Sequence, residues 1–186
     1  GGIPMEEMDQ YIQDVLDLIE YANGDARKTV WGKKRAEAGH PKPFNLKFIG
    51  IGNEDMITPV FVERFKMIFD AVKAKHPEVT VIGTTGPFYE GTDYEAGWKF
   101  ATRLNVLATE LGVPMVDEHY YVEPGWMIHN QEYYDHYDRS KAKVYLGEYA
   151  AHLPGRPNNV ETALAEALYL TAVERNGDVV EMTSYA

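Results

Sequence analysis

Short apolar runs containing glycine alternate along this chain with longer segments of helical periodicity. That alternation restricts the fold to an α/β architecture built on parallel strands. The apolar runs fall near 46–53, 79–84, 113–118, 143–147 and 178–183. The first contains Phe48-Ile49-Gly50-Ile51 and the fourth Val144-Tyr145-Leu146-Gly147. Both read as buried strands, and both lead directly into a polar residue pair or a glutamate.

The segments between them carry helix signals. The first helix has Pro4 in its first turn, with Glu6, Glu7 and Asp9 placed to complement the helix dipole. Met8, Tyr11, Ile12, Val15, Leu16 and Ile19 form its apolar stripe, and Asn23-Gly24 ends it. A helix over 59–75 has Thr58 as N-cap, Pro59 as first residue and Phe61, Phe65, Ile68, Phe69 and Val72 on its buried face. A third, over 94–111, turns Trp98, Ala101, Leu104 and Leu111 inward and stops at Gly112. A fourth, over 159–175, packs Leu164, Ala167, Leu168 and Val173. The basic stretch Arg27, Lys28, Lys33, Lys34 and Arg35 around Trp31 reads as a solvated loop. Residues 120–142 are long, aromatic and polar, with one short helix near 130–137, and fit a functional loop better than a core connection.

Strands alternating with helices in this order imply part of a (β/α)8 TIM barrel, with about five of its eight strands present. The chain opens on a helix and stops on a strand. Residues 1–186 therefore read as a single domain, the C-terminal portion of a barrel catalytic domain. An open sheet of this kind exposes edges and apolar surface, which favours completion by further barrel strands or by another copy in a homo-oligomer. The N-terminus, Gly1-Gly2-Ile3-Pro4-Met5, carries no signal-peptide pattern, but in a chain cut within a repeat this leaves the compartment open.

Charge and composition narrow the partners. Twenty-nine acidic against eighteen basic residues give a net charge of −11, which argues against nucleic acid or an anionic membrane. There are no cysteines, so disulfides and thiolate metal sites are excluded. No run approaches the length of a transmembrane helix.

In parallel α/β folds the site lies at the carboxyl ends of the strands. Here those ends read Asn53-Glu54, Thr84-Thr85, Glu118-His119-Tyr120-Tyr121, Glu148-Tyr149 and Ser184-Tyr185. Two glutamates delivered from different strands are the equipment for glycoside hydrolysis. With retention, one carboxyl group protonates the leaving oxygen and a second, about 5–5.5 Å away, attacks the anomeric carbon. Glu54 and Glu148 can play these parts, Asn53 would bind the sugar hydroxyl beside the reacting carbon, and His119 and Tyr121 could orient the carboxylates. Asp117 and Glu118 read as structural partners to a loop or to His119. Trp126, in Pro124-Gly125-Trp126, is the candidate sugar platform of the aromatic loop, whose rings could equally form a small core of their own. His129 and His136 with Glu132 and Asp135 match no metal-ligand spacing, so no metal is expected. His40, His76 and His152 read as local hydrogen-bonding or loop residues.

Three separated motifs carry a family resemblance. Phe48-Ile-Gly-Ile-Gly-Asn-Glu54, Val116-Asp-Glu-His-Tyr-Tyr121 and Val144-Tyr-Leu-Gly-Glu-Tyr-Ala-Ala151 resemble the α-L-arabinofuranosidases of glycoside hydrolase family 51. The approach Trp31-Gly32, Arg35-Ala36 and Gly39-His40-Pro41 looks like the Bacteroides-type members of that family. The resemblance implies a retaining, cofactor-free enzyme that removes terminal α-L-arabinofuranosyl groups from arabinan, arabinoxylan and related oligosaccharides in hemicellulose degradation. It implies Glu54 as general acid/base, Glu148 as nucleophile, and Asn53, His119 and Tyr121 as neighbours of the sugar and the nucleophile. It also places early barrel strands and a C-terminal β-sandwich outside these residues. Two other readings use the same residues: another retaining glycosidase of the barrel clan, such as an endo-glucanase or xylanase, or an inactive sugar-binding or assembly fragment.

Overall fold

The computed structural model describes residues 2–106, 113–155, 157 and 159–186, with the side chains of 99–106 left aside. The elements run α1 (Met8–Asn23, entered through a 3-10 turn at Met5–Glu7), α2 (Val30–Glu37), β1 (Phe48–Ile51), α3 (Pro59–Lys75), β2 (Thr80–Thr84), α4 (Gly91–Val106) and β3 (Met115–Val122). They continue through α5 (Pro124–His129), a 3-10 turn (Tyr134–His136), β4 (Lys143–Ala151), α6 (Val160–Arg175) and β5 (Val180–Tyr185). The strands follow one another in the order β1-β2-β3-β4-β5, and the pairs β2–β3, β3–β4 and β4–β5 are parallel. Strands in sequence order, the first four each followed by helical structure, are the repeat of a (β/α)8 barrel. Among the described residues no helix is long and apolar enough to cross a membrane.

The chain divides into two compact units. The first comprises Gly1–Ile51 with Thr58–Val81. In it α1 buries Met8, Leu16, Ile19 and Ala22, and leaves Tyr11 exposed. The expected cap of α3 is present: the Thr58 hydroxyl accepts from the Phe61 N–H, Pro59 opens the helix, and Phe65, Ile68, Phe69 and Val72 are buried.

The basic stretch corrects the expectation of a solvated loop. Thr29 accepts from the Gly32 N–H and starts α2, and Arg35 is fully buried. Its guanidinium donates to the carbonyls of Tyr21, Ala22 and Gly24 at the end of α1, and to those of His40 and Pro41. Open carbonyls at a helix C-terminus carry partial negative charge, so a planar five-donor cation satisfies several at once. Arg27, Lys28, Lys33 and Lys34 are exposed, as expected. Charge counting alone does not separate them from Arg35.

The second unit comprises Gly52–Ile57 with Ile82–Ala186. Its core lies between one face of β3 and β4 and the helices α5 and α6, with Val116, Tyr120, Val122, Leu146, Tyr149, Ala165, Tyr169 and Val173 among its members. The buried face of α6 differs from expectation. Leu164 and Leu168 are 65% and 43% exposed and Ala167 is exposed too, while Thr162, Ala165, Tyr169, Ala172 and Val173 face inward. Polar partners set this rotation. Asn159 and Thr162 form a reciprocal capping box, and Tyr169 meets the hydroxyl of Tyr120 at 2.8 Å inside the core.

Strands β3 and β4 run past their expected ends at Glu118 and Gly147, to Val122 and Ala151. The aromatic stretch holds α5 and the 3-10 turn instead of one helix at 130–137. For α4, Ala101, Leu104, Leu111 and Gly112 lie outside the residues or side chains described, and Trp98 packs against the core from its partly buried position.

Candidate active site

Side chains in a strand alternate between the two faces of a sheet. In β3, Val116, Glu118, Tyr120 and Val122 are buried toward the helices, which leaves Asp117, His119 and Tyr121 together on the other face. A bulge then brings β4 into play. Glu118 pairs with Leu146 and His119 with Glu148, so Gly147 is the extra residue in β4. The insertion reverses the alternation of β4: Leu146 and Tyr149 both enter the core, and Glu148 is carried to the face that holds His119. Glycine at 147 has a steric reason. A Cβ there would overlap the Oδ1 of Asp117 and crowd the Nε2 of His119 at 3.1 Å.

Glu54 arrives from the segment after β1. Gly52 adopts a φ of 87°, open to glycine at little cost, and turns the chain into Asn53-Glu54. The hydroxyl of Thr84 donates to the carbonyl of Asn53, and the Asn53 N–H donates to Asp55 Oδ2 at 2.9 Å. Thr85 holds the next strand: its N–H and its hydroxyl both donate to the carbonyl of Asp117, at 3.1 and 3.0 Å. The polar strand ends at 53, 84 and 85 thus tie the backbone beneath the site.

His119 is the centre of the constellation. It is 4% exposed, with Nε2 3.0 Å from Asp117 Oδ2, and Nδ1 3.3 Å from Glu54 Oε1 and 3.7 Å from Glu148 Oε2. Tyr121 donates its hydroxyl to Glu148 Oε2 at 2.6 Å, and His152 stacks on the Tyr121 ring with centroids 5.0 Å apart and planes 8° from parallel. One oxygen of Glu54, one of Glu148 and a ring nitrogen of His119 all lie within 4.8 Å of one another. The two carboxylates keep access to solvent, with side chains 42% and 34% exposed. Burial alone lowers the pKa of His119, but the hydrogen bond and charge of Asp117, the charge of Glu148 and the hydrogen bond to Glu54 outweigh it, and the net shift is upward.

Glu54, Glu148, His119 and Tyr121 therefore come together, and Asn53 lies exposed beside Glu54. Trp126 is placed differently. Its ring packs against Tyr89, Tyr120, Tyr133 and Tyr169, with centroids 5.2–5.8 Å away, in the aromatic core of the loop. Asp117, named above only as a structural partner, orients His119; its place two residues earlier on one strand was the signal. The stack of His152 on Tyr121 and the bulge at Gly147 had no such signal, because both depend on strands continuing past the glutamate.

Comparison with known proteins identifies the family. The α-L-arabinofuranosidase 1 domain matches residues 1–139, and the α-L-arabinofuranosidase C-terminal domain matches residues 129–186. The chain is 46% identical over 177 residues to an extracellular exo-α-L-arabinofuranosidase of Streptomyces chartreusis, covering 95% of this chain and 20% of that protein. It is 30% identical over 177 residues to α-L-arabinofuranosidase 2 of Arabidopsis thaliana, covering 95% of this chain and 24% of that one. Among solved structures, the arabinose-bound α-L-arabinofuranosidase MgGH51 superposes with a TM-score of 0.77 at 28% identity, over 100% of this chain and 29% of that chain. The chain thus spans only about a fifth to a quarter of the length of these curated relatives. By its matched domains and its motifs, it belongs to the α-L-arabinofuranosidase family, glycoside hydrolase family 51.

Proposed function

We propose that the protein carrying these residues is a retaining glycoside hydrolase that removes terminal α-L-arabinofuranosyl groups from arabinose-containing polysaccharides and oligosaccharides. In this reading the chain is the C-terminal portion of the catalytic barrel. The observation that carries it is the convergence of Glu54 and Glu148, whose nearest ligand oxygens and the His119 nitrogen fall within 4.8 Å. That closeness supports a pair that attacks the sugar directly, as retention requires at about 5–5.5 Å, over one held about 6.5–9.5 Å apart around a water.

The chemistry runs in two displacements. Glu54, as acid, gives its proton to the glycosidic oxygen while a Glu148 oxygen bonds to the anomeric carbon, and the C–O bond to the leaving group breaks. Glu54, now a carboxylate, takes a proton from water as that water attacks the same carbon and releases Glu148. Tyr121 donates to Oε2 of Glu148 and holds that carboxylate in place for the attack. Asn53 binds the hydroxyl beside the reacting carbon. His119, oriented by Asp117, keeps the two carboxylates at working distance. Trp126, set among other aromatic rings, has packing as its supported role.

The test is the anomer first released by the full-length protein from an aryl α-L-arabinofuranoside, followed by proton NMR before mutarotation. Initial α-arabinofuranose agrees with this reading. Initial β-anomer, or cleavage of aryl glucosides or xylosides alone, contradicts it.

A further inference from the structure

We propose that Glu118 is a positioning residue for the Glu54–Glu148 pair, acting from the opposite face of β3 through Asp117 and His119. The proposal rests on the reading of the pair given above. Glu118 touches neither carboxylate. It is 1% exposed and lies in the layer between sheet and helices.

Its surroundings are built for it. Oε1 accepts from the hydroxyl of Tyr94 at 2.9 Å, the indole N–H of Trp98 at 2.9 Å and the hydroxyl of Tyr137 at 2.8 Å. Oε2 accepts from the hydroxyl of Tyr134 at 2.9 Å. Tyr134 meets Tyr120 at 3.1 Å, and Tyr120 meets Tyr169 of α6 at 2.8 Å. One carboxylate thereby ties α4, the 134–137 turn and, through two phenols, α6 to a single point of β3. Packing alone would be served by an apolar residue, since a buried carboxylate is unfavourable unless its lone pairs are satisfied. Here four donor groups converge on it and offset part of the cost of burial, which still raises its pKa.

The place of that anchor gives it a function. Glu118 lies between Asp117 and His119, whose side chains leave β3 on the other face, and one residue before the bulge that sets His119 opposite Glu148. Fixing residue 118 fixes the angle at which both neighbours project. Reacting groups lose on the order of 100-fold when displaced by about 1 Å, so the angle matters to rate more than to affinity. The groups facing His119 are Asp117 on its own strand, Glu54 from the segment after β1 and Glu148 on β4. A tilt of β3 changes its distance to Glu54 and Glu148, and a twist about residue 118 its distance to Asp117.

Glu118→Gln and Glu118→Leu in the full-length protein test this. A glutamine keeps one oxygen for three donors, and its NH2 donates to Tyr134, whose hydroxyl can turn toward Tyr120. It should retain kcat within about threefold. Leucine removes every acceptor. It should lower kcat about 100-fold with KM within threefold, and move the His119 titration, followed by NMR of its ring proton, downward as Asp117 and the glutamates draw away. If Glu118→Leu does not fold, Tyr134→Phe with Tyr137→Phe removes two of the four donors and should give smaller shifts of the same sign. A folded Glu118→Leu protein, or failing that the double variant, with an unchanged His119 titration overturns the proposal. A shifted titration in a protein whose wild type cleaves no arabinofuranoside upholds Glu118 as positioning His119 and removes the functional reading instead.

Discussion

Asp117 Oδ2 and His119 Nε2 lie 3.0 Å apart, beside the one position of β4 that has no side chain to separate them. The contact depends on three local facts: two residues of one strand sharing a face, a bulge in the next strand, and glycine at 147. Gly147→Ala puts a methyl group onto Asp117 Oδ1. We expect it to displace the Asp117–His119 pair, lower kcat/KM of the full-length protein at least tenfold and cost about 1–3 kcal/mol of stability. Steady-state kinetics and denaturant unfolding check both. Wild-type values would show that the site does not need this gap.

The same pair sets a pH dependence. The pKa of His119 lies above its ordinary 6.5, because Asp117, Glu148 and Glu54 together outweigh the lowering by burial. A histidine whose pKa is raised by folding adds stability that is complete below its unfolded pKa and is lost as pH rises through the folded value. Asp117→Asn removes the largest of the raising contributions. The NMR midpoint of His119 should fall, and the stability gap between wild type and variant should be widest below about pH 6.5 and close as pH rises above the raised value.

Tyr121 is the direct hydrogen-bond donor to the proposed nucleophile, at 2.6 Å from Glu148 Oε2. Tyr121→Phe keeps the ring that stacks on His152 and removes only the hydroxyl. Kinetics on an aryl α-L-arabinofuranoside should show kcat/KM reduced about 10–100-fold, the usual effect of losing one donor to a group whose charge changes in the reaction.

In the other unit, Arg35→Leu should act on stability alone. It deprives the carbonyls of Tyr21, Gly24 and His40 of their buried donor. Denaturant unfolding should register a loss of about 3 kcal/mol.

The alternation of strands and helices was legible because buried strands and amphipathic helices have different periods, and α3 follows its cap, its proline and its apolar stripe except at Phe61, which is only half-buried. Glu54, His119, Tyr121 and Glu148 were legible as polar groups after apolar runs. What stayed hidden depends on pairing between distant residues. Leu164 and Leu168 look like a core stripe until Tyr169 finds Tyr120 and turns α6 away from them. Arg35 looks like its exposed basic neighbours until α1 ends against it. Gly147 reads as the end of a strand, whereas it is the bulge that lets the strand continue and carries Glu148 to its place. Trp126 shows the ambiguity of a lone aromatic in a loop, since the same ring can stack on a sugar or on Tyr133.

The division of labour between the two glutamates is tested most directly by trapping the intermediate. The full-length protein is mixed with a fast aryl α-L-arabinofuranoside, quenched in acid, digested and read by mass spectrometry. An arabinosyl ester on the peptide containing Glu148, absent from Glu148→Ala, is the predicted result; an adduct on Glu54, or turnover by Glu148→Ala at the wild-type rate, would contradict the account.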